Sequence, residues 1–152
     1  MDFIGYWKFH SIGTFDDNNV LVYLSAEEYL NSDMPYIDTS DEEAVADEMK
    51  ERKMCIGSKI KITEDGKVYM LAPLPEGVTD EQVDEAVKEG LINLMDGMVY
   101  ADQANTWELR DGEFWCDMGI EGEILGEKAD SFITPIDNDG FFNLMNMRFV
   151  KE

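Results

Sequence analysis

The stretch from Ile4 to Ile12 limits the possible fold more than any other part of the chain, because it is made of bulky residues that favour β-structure. Successive side chains of a strand point to opposite faces. Trp7 and Phe9 therefore share one face, and the other face also carries large apolar side chains. A strand that is apolar on both faces must be covered on both sides.

The closing run from Phe141 to Val150 has the same character, and we interpret it as a second long strand. Two such strands at opposite ends of the chain would leave exposed edges in an open sheet. Pairing them removes both edges, which is what closure of a barrel achieves. The sequence thus predicts an antiparallel barrel in which the two chain ends lie side by side.

Between these ends, short β-favouring runs alternate with turn residues. Asp-Gly dipeptides and the run from Asp137 to Gly140 mark several of the turns. This spacing is typical of a meander and not of a parallel α/β sheet. The strands expected after Gly97 are 98–101, 104–110, 113–119, 121–127, 131–136 and 141–150.

The Asp65-Gly66 dipeptide predicts a hairpin with a two-residue turn. In that register Ile62 faces Tyr69 and Ile60 faces Leu71. We expect this face to line the interior.

Asp111-Gly112 predicts a second two-residue turn, in which Trp107 faces Cys116 and Leu109 faces Phe114. These four side chains should look inward. Trp115 would then look outward, which calls for a covering helix or a partner surface.

Helices are predicted at three capping signals. Ser25 precedes one helical turn over 27–30, Ser40 opens a helix near residues 40–54, and Thr79 opens a helix near residues 79–90. We expect the two longer helices to be inserted in or to flank the barrel. The whole prediction is a mainly β chain, 1–152 as a single domain, built on an up-and-down barrel of about eight to ten strands.

The charge of the chain excludes some partners. It has 34 acidic and 12 basic residues, a net charge of −22. Such a surface repels phosphate backbones and anionic membranes, so we expect no nucleic-acid binding. Calcium, a cationic peptide or simple solubility could each account for the acidity.

The two cysteines, Cys55 and Cys116, lie among apolar neighbours and are expected to be buried free thiols. The sequence as written shows no signal peptide and no apolar run of about 20 residues that could span a membrane. It is therefore expected to be cytoplasmic, or exported if a leader precedes it.

No catalytic or cofactor motif is visible. His10 is the only histidine, which excludes a histidine-rich metal site. The run from Asp137 to Gly140 resembles half of a calcium loop, but that register puts Pro135 at the first ligand position, so a hairpin turn is the better interpretation. We expect no metal, no cofactor and no catalysis.

The segment Gly5-Tyr6-Trp7, together with Arg148 near the other end, resembles the calycin pattern of lipocalins and, more loosely, fatty-acid-binding proteins. The resemblance implies that Trp7 plugs the closed end of the barrel and that Arg148 lies across its ring, a cation–π contact worth roughly 0.5–2 kcal/mol. Gly5 would allow close backbone approach where the strand bends. The cysteines do not match that family's usual disulfide, and the helical insertions depart from its simplest pattern.

The resemblance implies binding or transport of a small hydrophobic or amphipathic molecule inside the barrel, without chemistry. The residues expected to contact this ligand are Ile62, Tyr69, Trp107, Leu109 and Phe114, with His10 or Tyr69 orienting a polar head group. One alternative is a protein-interaction module with a filled barrel, whose acidic helices or Trp115 contact a partner. A second is an isomerase-like or hydratase-like enzyme in a cone-shaped α+β fold, which would need a buried acid or histidine at its pocket floor.

Overall fold

A computed structural model of the chain describes residues 3–100, 104–117, 123–124, 126–128 and 131–152. It is mainly β, with 39% strand and 22% helix, and its principal sheet is an antiparallel, curled half-barrel. The elements in chain order are β1 (Gly5–Phe15), β2 (Leu21–Leu24), α1 (Ala26–Leu30), α2 (Glu42–Gly57), β3 (Lys59–Ile62), β4 (Lys67–Leu71), α3 (Asp80–Lys88), β5 (Asn93–Met95), β6 (Met98–Tyr100), β7 (Asn105–Arg110), β8 (Glu113–Asp117), β9 (Glu123–Ile124), β10 (Glu127–Lys128), β11 (Phe132–Ile133), β12 (Phe142–Leu144) and β13 (Met147–Lys151).

The curled sheet has the strand order β11-β8-β7-β4-β3-β1-β13-β12, and β2 pairs with the C-terminal part of β1. β1 pairs antiparallel with β13, with Trp7 opposite Lys151 and Phe9 opposite Phe149. The mainly β antiparallel fold and the pairing of the two chain ends are therefore confirmed. The β5–β6 hairpin and the β9–β10 pair form two small separate sheets.

The prediction of one strand over 141–150 is wrong, because β12 and β13 form a hairpin that turns at Met145 and Asn146. Phe142 and Leu144 occupy even positions and Phe149 an odd one, so a single strand would point them to opposite faces. The turn lets all three enter the same core. Met145 adopts a left-handed φ of 55° there, and its side chain is 87% exposed.

The two end strands of the sheet approach each other through the segment that follows β11. β11 pairs with β8, and a few residues later Ile136 forms a bridge with Phe142 of β12. The backbone N–H of Asn143 also donates to the carbonyl of Pro135 at 2.8 Å. These contacts cover part of the edge that an open sheet would expose.

The interior of the curled sheet is packed with apolar side chains. Its buried cluster consists of Trp7, Ile60, Ile62, Val68, Phe114, Cys116, Phe142, Leu144 and Phe149. Trp7 packs edge-on against the Phe142 ring, which in turn contacts Phe114. Burial of such rings is the main source of stability in a core of this kind.

The register predicted for the β3–β4 hairpin is wrong by one residue, since Ile62 pairs with Val68 and Lys61 pairs with Tyr69. The turn has three residues between Thr63 and Lys67, which are joined by an N–H to carbonyl bond of 3.0 Å. Gly66 takes the left-handed conformation at φ 89° that this longer turn requires. Tyr69 consequently lies on the face opposite to Ile62.

All three predicted helices are present. Ser25 and Thr79 form complete capping boxes, whereas the cap of α2 is Asp41 and not Ser40. The Ser40 hydroxyl donates to Asp38 instead, at 2.5 Å. α2 packs on α1 and β1. Among the described residues, no helix combines the length and the apolar character needed to cross a bilayer.

Candidate ligand site

A cleft of about 580 Å³ opens where β1 begins and β13 ends. Its walls come from the start of β8 and from the connection between β11 and β12. The lining residues are Phe3, Trp7, Glu113, Phe114, Thr134, Ile136, Asn138, Gly140 and Lys151.

Aromatic rings form the floor of the cleft. Phe3 packs against Phe114 and Trp107, with ring centroids 4.8 and 5.0 Å away. The Trp7 indole N–H donates to the Phe3 carbonyl at 2.9 Å, so the polar edge of the indole is satisfied locally. The floor therefore offers apolar surface without an unmet hydrogen bond at Trp7.

Lys151 supplies a positive charge beside this floor. It pairs with Trp7 across the β1–β13 ladder, and its Nζ lies 2.9 Å from the place where a Cβ on Gly5 would stand. Gly5 has φ 121°, which side chains rarely adopt, so glycine serves both the backbone and the path of the lysine. In the part of the chain that the structure describes, no carboxylate forms an ion pair with Lys151.

The turn over 137–140 forms one wall and is held by Asp137. Its carboxylate accepts hydrogen bonds from the backbone of Asp139 and Phe141 and from the side chain of Asn143. Burial acts to raise the pKa of Asp137, but these hydrogen bonds, with a smaller contribution from the charge of Arg148, outweigh it and hold the pKa below its usual value. The hairpin turn predicted for this segment is thus present, with Ile136 opposite Phe142.

Two of the residues singled out from the sequence line the cleft, namely Trp7 and Phe114. Trp107 lies behind the floor, stacks near Phe114 and donates from its indole to the carbonyl of Thr63 at 2.8 Å. Ile62 is fully buried in the core. The predicted pairs of Trp107 with Cys116 and of Leu109 with Phe114 are confirmed.

Three other predicted ligand residues lie outside the cleft. Tyr69 packs edge-to-face against Tyr100 on the outer face because of the hairpin register. Leu109 is 39% exposed, since it stands next to the turn that ends β7. His10 is exposed at a β-bulge, bonded to the Ser11 hydroxyl and stacked on Phe141.

The predicted contact between Arg148 and Trp7 is wrong. Arg148 pairs with Ser11, and its guanidinium lies 3.6 Å from the centroid of the Tyr23 ring and 5.2 Å from that of Phe141. Alternation along β13 explains this, because Lys151 shares the face of Trp7 and a residue three positions away points to the opposite face.

The outward-facing Trp115 is covered by a side chain and not by a helix. The Arg110 guanidinium lies 4.7 Å from the centroids of both the Trp115 and Phe132 rings. This stack shields the indole that the sequence had placed on the outside.

Phe3, Ile136 and Lys151 were missed as site residues. The register of the β1–β13 pairing would have identified Lys151 as a site residue, because Lys151 stands directly opposite Trp7. The sequence predicts that pairing but not its register. No local pattern marks Phe3 or Ile136, whose roles depend on the curl of the sheet.

The described residues offer little for covalent or metal chemistry. Cys55 and Cys116 are free thiols, and burial, with a smaller effect of Asp117, raises the pKa of Cys116 to about 12. That thiol stays protonated at neutral pH and is a poor nucleophile. Within the described ranges no three His, Cys, Asp or Glu side chains are grouped as metal ligands would be.

No protein-family model, no curated protein sequence and no solved structure matches this chain.

Proposed function

We propose that the cleft binds a small amphipathic molecule, with the apolar part on the aromatic floor and a carboxylate at Lys151. The observation that carries this proposal is the position of Lys151, a lysine without an ion pair among the described residues, directly beside Trp7. Lys151 is also the one basic residue among the described residues that line the cleft, so it is the group there that can attract an anion.

The size and lining of the cleft suit such a ligand. Its 580 Å³ falls within the range of about 300–1,000 Å³ that is common for small-molecule sites. Apolar contact with Phe3, Trp7, Phe114 and Ile136 would supply roughly 25 cal/mol per Å² of buried area. A carboxylate at Lys151 would be attracted more strongly than in water, because the floor lowers the local dielectric.

The calycin-like assignment belongs to the same proposal. It is supported by the Gly5-Trp7 start of the first strand and by the pairing of that strand with the last. The packed interior moves the proposed ligand from the lumen to the cleft at the end of the sheet.

We propose binding and not catalysis because the acid that lines the cleft, Glu113, is exposed to solvent. Glu113 stands on the rim of the cleft and is not enclosed with the space that a ligand would occupy. An isomerase or hydratase would need an acid or base enclosed with the substrate. The described lining contains no histidine to take that part.

Paired ligands that differ only in the head group test the proposal. Isothermal titration with decanoate and decanol should show that the wild type binds decanoate more tightly, and the Trp7 indole resonance should shift on binding. Lys151→Gln should weaken decanoate binding about tenfold, which corresponds to about 1.4 kcal/mol, and leave decanol unchanged.

Lys8→Gln is the matched control, since Lys8 is exposed and pairs with Val150 on the other face of the same two strands. It should bind both compounds as the wild type does. Equal affinities for decanoate and decanol, or a Lys151→Gln protein with undiminished preference for decanoate, would refute a carboxylate site at Lys151.

A further inference from the structure

The sheet face opposite to the core carries a strip of apolar side chains around Arg148, formed by Phe15, Leu21 and Tyr23 of β1 and β2 and by the half-buried Phe141. Phe15 is 67% exposed, Leu21 50% and Tyr23 37%. Phe15 pairs with Leu21, and Gly13 pairs with Tyr23, which places these side chains on one face. We call this surface the outer strip.

Because Gly13 has no side chain, the outer strip can pack closely on the backbone of β1. A Cβ at this position would stand 3.2 Å from Tyr23 Cε1 and 3.3 Å from Leu21 Cδ1. Both side chains therefore lie directly over the bare backbone of β1. Arg148 reaches over the same region to stack on the Tyr23 ring.

In the described part of the chain, Arg148 has no hydrogen-bonded or ion-paired partner there; the Asp137 carboxylate attracts it electrostatically but lies beyond ion-pair distance. Its Nε is buried and makes no hydrogen bond, and among the described residues no acceptor or carboxylate pairs with its guanidinium. A buried donor left unmet costs about 1–3 kcal/mol, more for a charged group. The two flanking rings offset part of this cost by cation–π attraction.

The other two arginines behave differently. Arg52 donates to carbonyls, hydroxyls and the carboxylate of Glu48, and Arg110 is paired with Glu108 at 2.8 Å. Arg148 differs from both, because its Nε makes no hydrogen bond and its guanidinium forms no ion pair among the described residues, although Asp137 attracts it electrostatically. A guanidinium presents its donors in a planar fork that a carboxylate fills with two parallel bonds.

We propose that the outer strip docks a partner protein through a segment in which one carboxylate, flanked by apolar side chains, pairs with Arg148. Apolar side chains on both sides of the cation, with Phe15 and Leu21 exposed beyond them, suit a protein segment better than a small anion. Tyrosine and arginine are also the residue types that dominate binding energy at protein interfaces.

The charge of the chain narrows the choice of partner. The net charge of −22 repels an acidic protein at long range. We therefore expect the carboxylate that pairs with Arg148 to be an isolated one on a neutral or basic partner. A second copy of this chain carries the same charge and is repelled equally. The partner is therefore a different protein.

A displayed library of random heptapeptides, panned on the wild type with counter-selection on Arg148→Gln, tests this choice. Enriched peptides should carry a single Asp or Glu next to apolar residues. Replacing that acid by its amide in a synthetic peptide should weaken binding about tenfold to a hundredfold. Binding of the acidic peptide should also shift the Arg148 Nε–H resonance.

Three variants distinguish peptide binding at the outer strip from binding at the cleft and from loss of the fold. Phe15→Ser should weaken peptide binding at least threefold while leaving the melting temperature unchanged, because Phe15 is exposed. Lys151→Gln should leave peptide binding unchanged, since Lys151 lies on the opposite face of β13. Arg110→Gln, which alters a stacked arginine elsewhere, should also have no effect.

The proposal is overturned if no peptide is enriched, if enriched peptides lack an acid, or if acid and amide forms bind equally well. It is also overturned in favour of self-association if sedimentation equilibrium finds a dimer that Arg148→Gln dissociates.

Discussion

Arg52 on α2 is a charged side chain held almost completely out of water, at 1% exposure. Nη1 donates to the carbonyls of Tyr29 and Ser32, at 2.6 and 3.0 Å, and Nη2 donates to the carbonyl of Asp33 at 3.0 Å. Nε donates to Glu48. Arg52 thereby fixes the irregular segment after α1 against α2, and it faces the carbonyl end of α1, where a cation is favoured.

Glu48 completes this cluster. A hydrogen bond from Tyr36 does most to lower the pKa of Glu48, burial opposes it, and Arg52 adds to the lowering. The carboxylate therefore stays ionised opposite Arg52 at neutral pH. Nothing in the sequence of α2 distinguishes Arg52 from its exposed neighbours.

Arg52→Ala should lower the free energy of unfolding by about 3–5 kcal/mol, because it removes the cation that pairs with Glu48 and leaves several carbonyls buried without a donor. Urea denaturation measures this change. Lys53→Ala is the matched control, since Lys53 is 53% exposed and its ion pair with Glu76 is long at 3.7 Å. The control should cost less than about 1 kcal/mol. Similar costs for the two variants would contradict the role given to Arg52.

At the scale of elements, three of the four Asp-Gly dipeptides, at residues 65–66, 96–97 and 111–112, form two kinds of turn. Asp111-Gly112 and Asp96-Gly97 have positive φ at both residues and make two-residue turns, in which Arg110 pairs with Glu113 and Met95 with Met98. In Asp65-Gly66 only the glycine has positive φ. There the Thr63 hydroxyl bonds to Asp65 and to the Lys67 carbonyl, and these bonds accompany the longer turn.

Gly66→Ala should therefore destabilise the protein by about 1–2 kcal/mol, the cost of a left-handed conformation for a residue with a Cβ. The nearest atom to such a Cβ is 3.8 Å away, so backbone strain and not a clash is the cause. Thermal denaturation measures the effect. Glu64→Ala in the same turn is exposed and should change stability by less than about 0.5 kcal/mol. A Gly66→Ala protein as stable as the wild type would rule out the three-residue turn.

For the molecule as a whole, a net charge of −22 on 152 residues works against compactness. Raising NaCl from about 0.01 to about 1 M shortens the screening length from about 30 to about 3 Å. We expect the melting temperature to rise with salt, by about 2–4 °C for each kcal/mol of repulsion relieved.

Choline chloride at the same ionic strength is the control for this prediction, because it screens charge without offering a small metal cation. It should raise the melting temperature as NaCl does. A rise with NaCl alone would indicate specific cation binding, and a fall with both salts would mean that ion pairs such as Lys59–Glu152 outweigh the repulsion.

Much of the fold followed from local patterns. The two-residue period put Trp7 and Phe9 on the core face, the Asp111-Gly112 turn set the β7–β8 register, and the capping signals located the helices. These features can be predicted from the sequence because each depends on residues that are only a few positions apart along the chain. The candidate site was predicted only at Trp7 and Phe114.

Only the tertiary structure decided at which end of the sheet the cleft lies and which basic residues lie beside the cleft and on the outer strip. Lys151 meets Trp7, and Arg148 meets Tyr23, because the register between the first and last strands assigns them to opposite faces. A shift of that register by one residue would exchange the two, and neither residue carries a local sign of its partner. The sequence by itself determined the strands and turns, while the long-range pairing of β1 with β13 determined the surfaces available for binding.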